Sequence, residues 1–148
     1  MEWKRNDENG NIIYELTNGN GTVKEYYYDE VLQYEGEYLN GEKNGKGKEY
    51  NNKGILLYEG EYLNGEKNGK GKKYDDNGKL EYEGEYLDGQ RNGKGKEYFK
   101  NGILSFEGEY LNGKRWNGKG KEYARDKLLF EGEYVNGKKI VIEKENDK

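Results

Sequence analysis

The sequence predicts an all-β protein, an elongated single-layer antiparallel β-meander of tandem β-hairpin repeats. Three observations carry that expectation. The phrase YEGEYLNGEKNGKGKEY begins at Tyr34 and returns in close variants at Tyr58, Tyr82, Phe106 and Phe130, every 24 residues. Within each copy, apolar and polar residues alternate with the period of a half-buried strand. Each copy then carries Asn-Gly or Asp-Gly, the strongest short signal for a hairpin turn. Evenly spaced copies describe one structural unit stacked on itself, not one active site.

Taken in order, residues 1–19 are an N-terminal cap or lead-in. Residues 20–33 are a degenerate copy that places Tyr26 against Tyr50 and Gly21 against Gly45. Units follow at 34–57, 58–81, 82–105 and 106–129, then a partial one at 130–139 and a C-terminal strand or tail at 140–148. Atypical end units are what a repeat array needs to cap itself. The unit at 106–129 inserts Trp116 and then drops one residue in ARDKLLF, so the next start keeps the spacing. Insertions and deletions concentrate in loops, which puts one loop near 112–117 and another near 124–127.

The first strand of a unit reads Leu-x-aromatic-x-Gly-x-Tyr, as in Leu56, Tyr58, Gly60 and Tyr62, with Glu59 and Glu61 between. Turn signals follow at Asn40-Gly41, Asn64-Gly65, Asp88-Gly89, Asn112-Gly113 and Asn136-Gly137. A second Asn-Gly comes soon after each, as at Asn44-Gly45. Either a two-residue turn or a longer loop closes this hairpin, and the Trp116 insertion favours the longer loop. The next connection is a two-residue turn at Asn77-Gly78, which sets Lys72 against Glu83, Lys70 against Glu85 and Gly71 against Gly84. Opposite charges then meet across strands, at roughly 0.2–1 kcal/mol a pair. About ten strands at ~4.8 Å give a sheet roughly 50 Å long.

One face of this sheet carries Glu35, Glu37, Lys46, Lys48 and their repeats as a solvated lattice of charge. The other carries Leu and aromatic rings as a shallow Tyr-walled trough with a glycine floor. Tyr50, Tyr74, Tyr98 and Tyr123 fall on the charged side unless a bulge intervenes.

Composition narrows the function. Leu, Ile, Val and Phe are sparse, roughly one residue in six, but 16 Tyr at fixed positions supply apolar bulk. Charged residues are 38% yet the net charge is only −4, which argues against a nucleic-acid partner and does not favour membrane lipid. There is no His and no Cys, so the commonest general base and the thiolate ligands are missing. NGKGK lacks the spacing of a phosphate loop, its lysines read best as partners of glutamates, and YDDNGK reads as turn chemistry rather than a calcium loop. No catalytic residue, metal or cofactor is expected. No apolar run is long enough to span a bilayer and the start lacks the apolar core of a signal peptide, so a cytoplasmic, intracellular location is expected.

A single-layer sheet leaves one side of its apolar face without a second layer. The rings either cover their own sheet or dock a partner, and both can hold. The partner-binding residues expected on that basis are Tyr34, Tyr38, Tyr58, Tyr62, Tyr82, Tyr86, Phe106, Tyr110, Phe130 and Tyr134. The tail residues Ile140, Val141 and Ile142 form an apolar edge that invites self-association into a homodimer or filament. Trp116 reads as drift in a tolerant loop.

The quoted unit resembles the MORN repeat (membrane occupation and recognition nexus): Tyr-x-Gly-x-aromatic, then Asn-Gly, then Gly-x-Gly. Tyr58, Gly60, Tyr62, Gly65, Gly69 and Gly71 carry the match, and it extends over about residues 20–140. Asn44, Asn68, Asn92 and Asn117 stand where the family often has His. The resemblance implies antiparallel hairpins serving as scaffolds and docking surfaces, here for a protein segment, a partner helix or a second copy. The alternatives are a lipid- or carbohydrate-binding module and an antitoxin or immunity-type repeat protein.

Overall fold

The computed structural model describes residues 2–6, 8 and 12–141. These build one open antiparallel sheet in which every strand pairs with its neighbours in sequence. The strands are β1 (Glu2–Asn6), β2 (Ile12–Thr17), β3 (Asn20–Tyr26), β4 (Leu32–Leu39), β5 (Glu42–Tyr50), β6 (Leu56–Leu63) and β7 (Glu66–Tyr74). There follow β8 (Leu80–Leu87), β9 (Gln90–Tyr98), β10 (Leu104–Leu111), β11 (Lys114–Ala124), β12 (Lys127–Val135) and β13 (Lys138–Val141). The all-β single-layer meander expected from the repeats is what forms. It has more strands than expected, because the lead-in supplies β1 and β2 and the tail begins in β13. Twelve steps of ~4.8 Å make it roughly 58 Å long.

The first hairpin connection is the two-residue turn, not the longer loop. Asn40 and Gly41 have φ of 53° and 79°, and Asn64-Gly65, Asp88-Gly89, Asn112-Gly113 and Asn136-Gly137 repeat those angles. Positive φ at both central residues is the type I′ geometry that matches strand twist. The second Asn-Gly is not a turn at all. Asn44, Gly45 and Lys46 bulge within β5 opposite the single residue Glu37, while Gly36 pairs with Gly47 and Tyr38 with Lys43.

The turns also stack on one another. The N–H of Gly65, Gly89 and Gly113 donates to the carbonyl of Lys43, Lys67 and Arg91 of the preceding hairpin, at 2.9 Å each. The Asn92 side chain accepts from Asn112 N–H at 3.2 Å, and the Asn117 side chain from Asn136 N–H at 2.9 Å.

The other connection is a five-residue loop, as at 51–55, where the Asn51 side chain accepts from Lys53 and Ile55 N–H. The sequence register nevertheless holds: Lys72 faces Glu83, Lys70 faces Glu85 and Gly71 faces Gly84. A bulge makes up the difference. Tyr74 pairs with Leu80 and Lys73 with Tyr82, leaving Glu81 as the extra residue. The same bulge flips Leu56 and Leu80 away from the ladder face, so each lies beside Tyr50 or Tyr74 on the charged side. In the last full unit the loop shortens to Arg125-Asp126.

Trp116 changes register. In β10 and β11, Phe106 faces Gly120 and Gly108 faces Gly118, a slip of two residues from the Gly84–Gly95 pairing of the unit before. A slip of two keeps every side chain on its own face. The Gly-x-Gly motif offers a second glycine at that offset, so glycine still meets glycine.

Those glycine pairs place the core. A Cβ on Gly71 would lie 2.5 Å from Tyr58 Oη and 2.6 Å from Tyr58 Cε2, and one on Gly60 would lie 2.5 Å from the Gly71 Cα. The Tyr58 ring therefore lies flat across the bare backbone of Gly60 and Gly71, with its hydroxyl donating to the Glu61 carbonyl at 3.0 Å. Tyr34, Tyr82 and Phe106 repeat the arrangement, and with Tyr58 they are the most completely buried side chains among the described residues. Each flat ring meets two upright ones edge-on. Tyr58 touches Tyr62 at 5.4 Å and Tyr86 at 5.5 Å, and the series runs unbroken from Tyr38 to Phe130. Edge-to-face pairs are worth about 0.5–1.5 kcal/mol each beyond their burial. A single-layer sheet thus makes its core from one row of rings.

Gly71→Ala should cost about 3 kcal/mol, the upper end for overpacking a tight site. Gly65→Ala, in an open turn with φ of 85° and no atom within 4 Å of the added methyl, should cost only about 1–2 kcal/mol of left-handed strain. Urea denaturation of the two variants compares them directly.

Candidate functional site

The two faces of the sheet differ in what they leave open. On the ladder face, Tyr34, Tyr58, Tyr62, Tyr82, Tyr86, Phe106, Tyr110, Phe130 and Tyr134 are buried and Tyr38 is partly buried against them. The structure brings all ten predicted aromatic residues together, but as a closed ladder rather than an open trough. Sequence parity fixed the face they share; it did not show that the flat rings would fill it.

A row of cations lies over the ladder. Lys43 stands 4.3 Å from the Tyr34 ring centre, Lys67 4.5 Å from Tyr58, Arg91 4.4 Å from Tyr82, Arg115 4.9 Å from Phe106 and Lys139 5.6 Å from Phe130. Partly desolvated contacts of this kind contribute about 0.5–2 kcal/mol each. Carboxylates tie down the upright tyrosines. Tyr38 donates to Glu25, Tyr62 to Glu49 at 2.5 Å, Tyr110 to Glu97 at 2.5 Å and Tyr134 to Glu122 at 3.0 Å. Burial works to raise the Glu97 carboxyl, but hydrogen bonds from Arg115 and Tyr110 outweigh it and hold it below the usual range. The sequence reading missed both rows, although their 24-residue spacing was there to find.

The opposite face holds a groove of about 1420 Å³, running from Thr22 to Glu109 across the strands. Its floor is the backbone of Gly36, Gly47, Gly60, Gly71, Gly84 and Gly95. Its walls are lysines and glutamates, so the glycine floor opens on the charged side and not between tyrosines as expected. The expected lattice of Lys–Glu contacts is also thinner than its register suggests. Among the described residues of this face, ion pairs join Lys96 to Glu107 at 3.8 Å and Lys121 to Glu131 at 3.6 Å.

The carboxylates have other partners. Glu37, Glu61 and Glu85 accept from the N–H of Lys46, Lys70 and Lys94 at 2.5–2.7 Å, inside the bulges. Glu35, Glu59 and Glu83 accept from Tyr50, Tyr74 and Tyr98 at 2.5–3.1 Å, which fixes these tyrosines on the charged side. Beyond one wall stands a row of exposed aliphatic residues, Leu39, Leu63, Leu87, Leu111 and Val135, each 40–49% exposed.

At the end of the array, Ile140 and Val141 of β13 are 49% and 64% exposed, while Ile142 lies outside the described residues. Trp116 is half-buried, and a methyl on Gly137 would meet its ring at 3.1 Å. It packs on the next turn rather than hanging from a loop. Among the described residues no group of three or more Asp or Glu is placed to hold a metal ion.

Burial, then the Glu59 and Glu83 hydrogen bonds, push Tyr74 and Tyr98 up to about 12, and burial raises Tyr34, Tyr58 and Tyr62 as well. A folded value above the unfolded one, about 10 for Tyr, stabilises the fold fully below that pH. That stability is lost as pH rises from about 10 through 12, because the unfolded chain ionises first. Urea midpoints followed with tyrosinate absorbance should fall through that window and hold steady through neutrality. Ionisation of all tyrosines near pH 10 without loss of structure would contradict the burial.

Comparison with known families agrees with this geometry. The MORN repeat model matches residues 34–55, 82–103, 106–127 and 130–139, and the MORN repeat variant model matches 1–17, 19–40 and 67–88. No curated protein matches the chain. Apart from 1–17, the matched segments fall on the hairpins whose aromatic-x-Gly motifs build the ladder. MORN repeats are generally non-enzymatic and often serve protein or membrane interaction. The chain belongs to the MORN repeat family.

Proposed function

We propose that this chain is a non-enzymatic scaffold that docks a protein segment lengthwise in the glycine-floored groove. The groove itself carries the reading: about 1420 Å³ of open space crosses successive strands, while the ladder face is filled by its own rings. Lysine ammonium groups along it are available to a partner's carboxylates, because many of the facing glutamates already accept from tyrosine or backbone N–H. The aliphatic row from Leu39 to Val135 offers apolar contact beside them. Seven lysines and eight glutamates line the groove, a near-neutral balance that does not suit an anionic membrane surface or nucleic acid. The exposed Ile140 and Val141 on β13 support end-to-end pairing of copies as a second mode of assembly.

A photo-cross-linking residue placed singly at Leu63, Lys43 or Val141 tests both modes in the source cell. Leu63 should yield partner adducts, Lys43 on the ladder face should not, and Val141 should yield adducts of doubled chain mass. Partner adducts from Lys43 with none from Leu63 would move docking back to the tyrosine side.

A further inference from the structure

Along the ladder face, cations and carboxylates alternate: Lys43, Glu49, Lys67, then Arg91, Glu97, Arg115, Glu122, Lys139. Each carboxylate sits between two ring-stacked cations and accepts from one upright tyrosine. Arg91 and Arg115 flank Glu97 at 3.4 and 2.9 Å, for example, and Tyr110 donates to it. The alternation breaks once. Between Lys67 and Arg91 the carboxylate position belongs to Lys73, which faces Tyr82 as Glu49 faces Tyr58.

The consequence is visible in Tyr86. Its side chain is 5% exposed, and its hydroxyl is the one buried side-chain oxygen or nitrogen among the described residues without a hydrogen-bond partner. The equivalent hydroxyls of Tyr38, Tyr62, Tyr110 and Tyr134 all reach a carboxylate. What stands beside that hydroxyl is its cross-strand neighbour Arg91, which can only donate, so the Tyr86 proton has no acceptor; Lys67 lies over the ring at 6.0 Å. Lys73 turns aside to Glu81 at 2.6 Å, and the other oxygen of Glu81 lies 3.8 Å from Arg91; the Lys73 and Glu81 side chains are about 40% exposed, so an entering carboxylate displaces Glu81 from both cations. An exposed ion pair of this kind holds weakly.

We propose that the ladder face of the 58–81 and 82–105 units binds an external carboxylate, which accepts from Tyr86 and lies among Lys67, Lys73 and Arg91. It takes the place that Glu49 and Glu97 fill on either side. Tyr86 and Arg91 donate to it, and the Lys73 ammonium leaves Glu81 to meet it. Lys67 supports the reading: burial, and then repulsion from Lys73, Lys43 and Arg91 against the pull of Glu49, lower its pKa. An added anion relieves that crowding. The ligand is a carboxylate because the four repeated sites each use one in the same geometry. The site lies on the face opposite the groove and does not depend on groove docking.

The test is side-chain NMR of labelled Tyr and Lys at fixed ionic strength. The probes are sodium acetate, a blocked Gly-Glu-Gly peptide and its Gly-Gln-Gly counterpart. Saturable shifts at Tyr86, Lys67 and Lys73 are expected with acetate and the Glu peptide and not with the Gln peptide. Saturation by the Glu peptide alone identifies a protein carboxylate as the source. The double variant K73E/E81L copies the Glu49 and Leu57 pair of the preceding unit, so it keeps the fold and closes the site; it should weaken binding at least about tenfold. Shifts that never saturate, that match with the Gln peptide, or that persist unchanged in K73E/E81L would overturn the proposal.

Discussion

The structure depends on one contact, an aromatic ring lying flat on a pair of facing glycines. A sheet of one layer has no second layer to bury its apolar face against. Here the ring supplies that layer itself. It can do so only because two residues opposite each other lack side chains, which brings the ring down onto the backbone. Lying flat, it presents its edges to upright neighbours in the units before and after. The core becomes a line as long as the sheet, and each unit contributes one rung.

The same contact makes the two faces of the sheet different. Closing the ladder face uses the rings and a covering row of cations, while the far side of the same glycines is bare backbone. Side chains rise on either side of that strip and none fills it, so a groove follows directly from the packing on the opposite face. Near-balanced charge along the groove is what the proposed docking of a protein segment rests on. Under that proposal the occupant is a segment with its own spaced charges and apolar contacts rather than a uniformly charged polymer.

Much of the fold was legible in the sequence. The period, the strands and the register of Lys70, Gly71 and Lys72 against β8 all follow from spacing and charge. Three features were not legible. Parity says that Tyr58 and Gly60 share a face, but not that the ring lies down and fills it, so the open side was misassigned. The extra residue at Leu57 and Glu81 flips Leu56 and Leu80 to the charged side, and a period-two reading has no way to see a bulge. Trp116 suggested a longer loop, whereas the strand absorbed it by slipping two residues along Gly-x-Gly. The Lys73 and Glu81 exchange was visible as a departure from the repeat, but its meaning required knowing that Glu49 and Glu97 hold tyrosine hydroxyls.

The central claim is that the repeated tyrosines are interior residues. Tyrosine nitration in the folded protein, mapped by mass spectrometry over time, addresses it most directly. Tyr28, fully exposed, should react early, while Tyr34, Tyr58 and Tyr82, buried across their glycines, should stay unmodified until the protein unfolds. Nitration of Tyr58 and Tyr82 at the rate of Tyr28 would contradict the ladder and the groove assignment that follows from it.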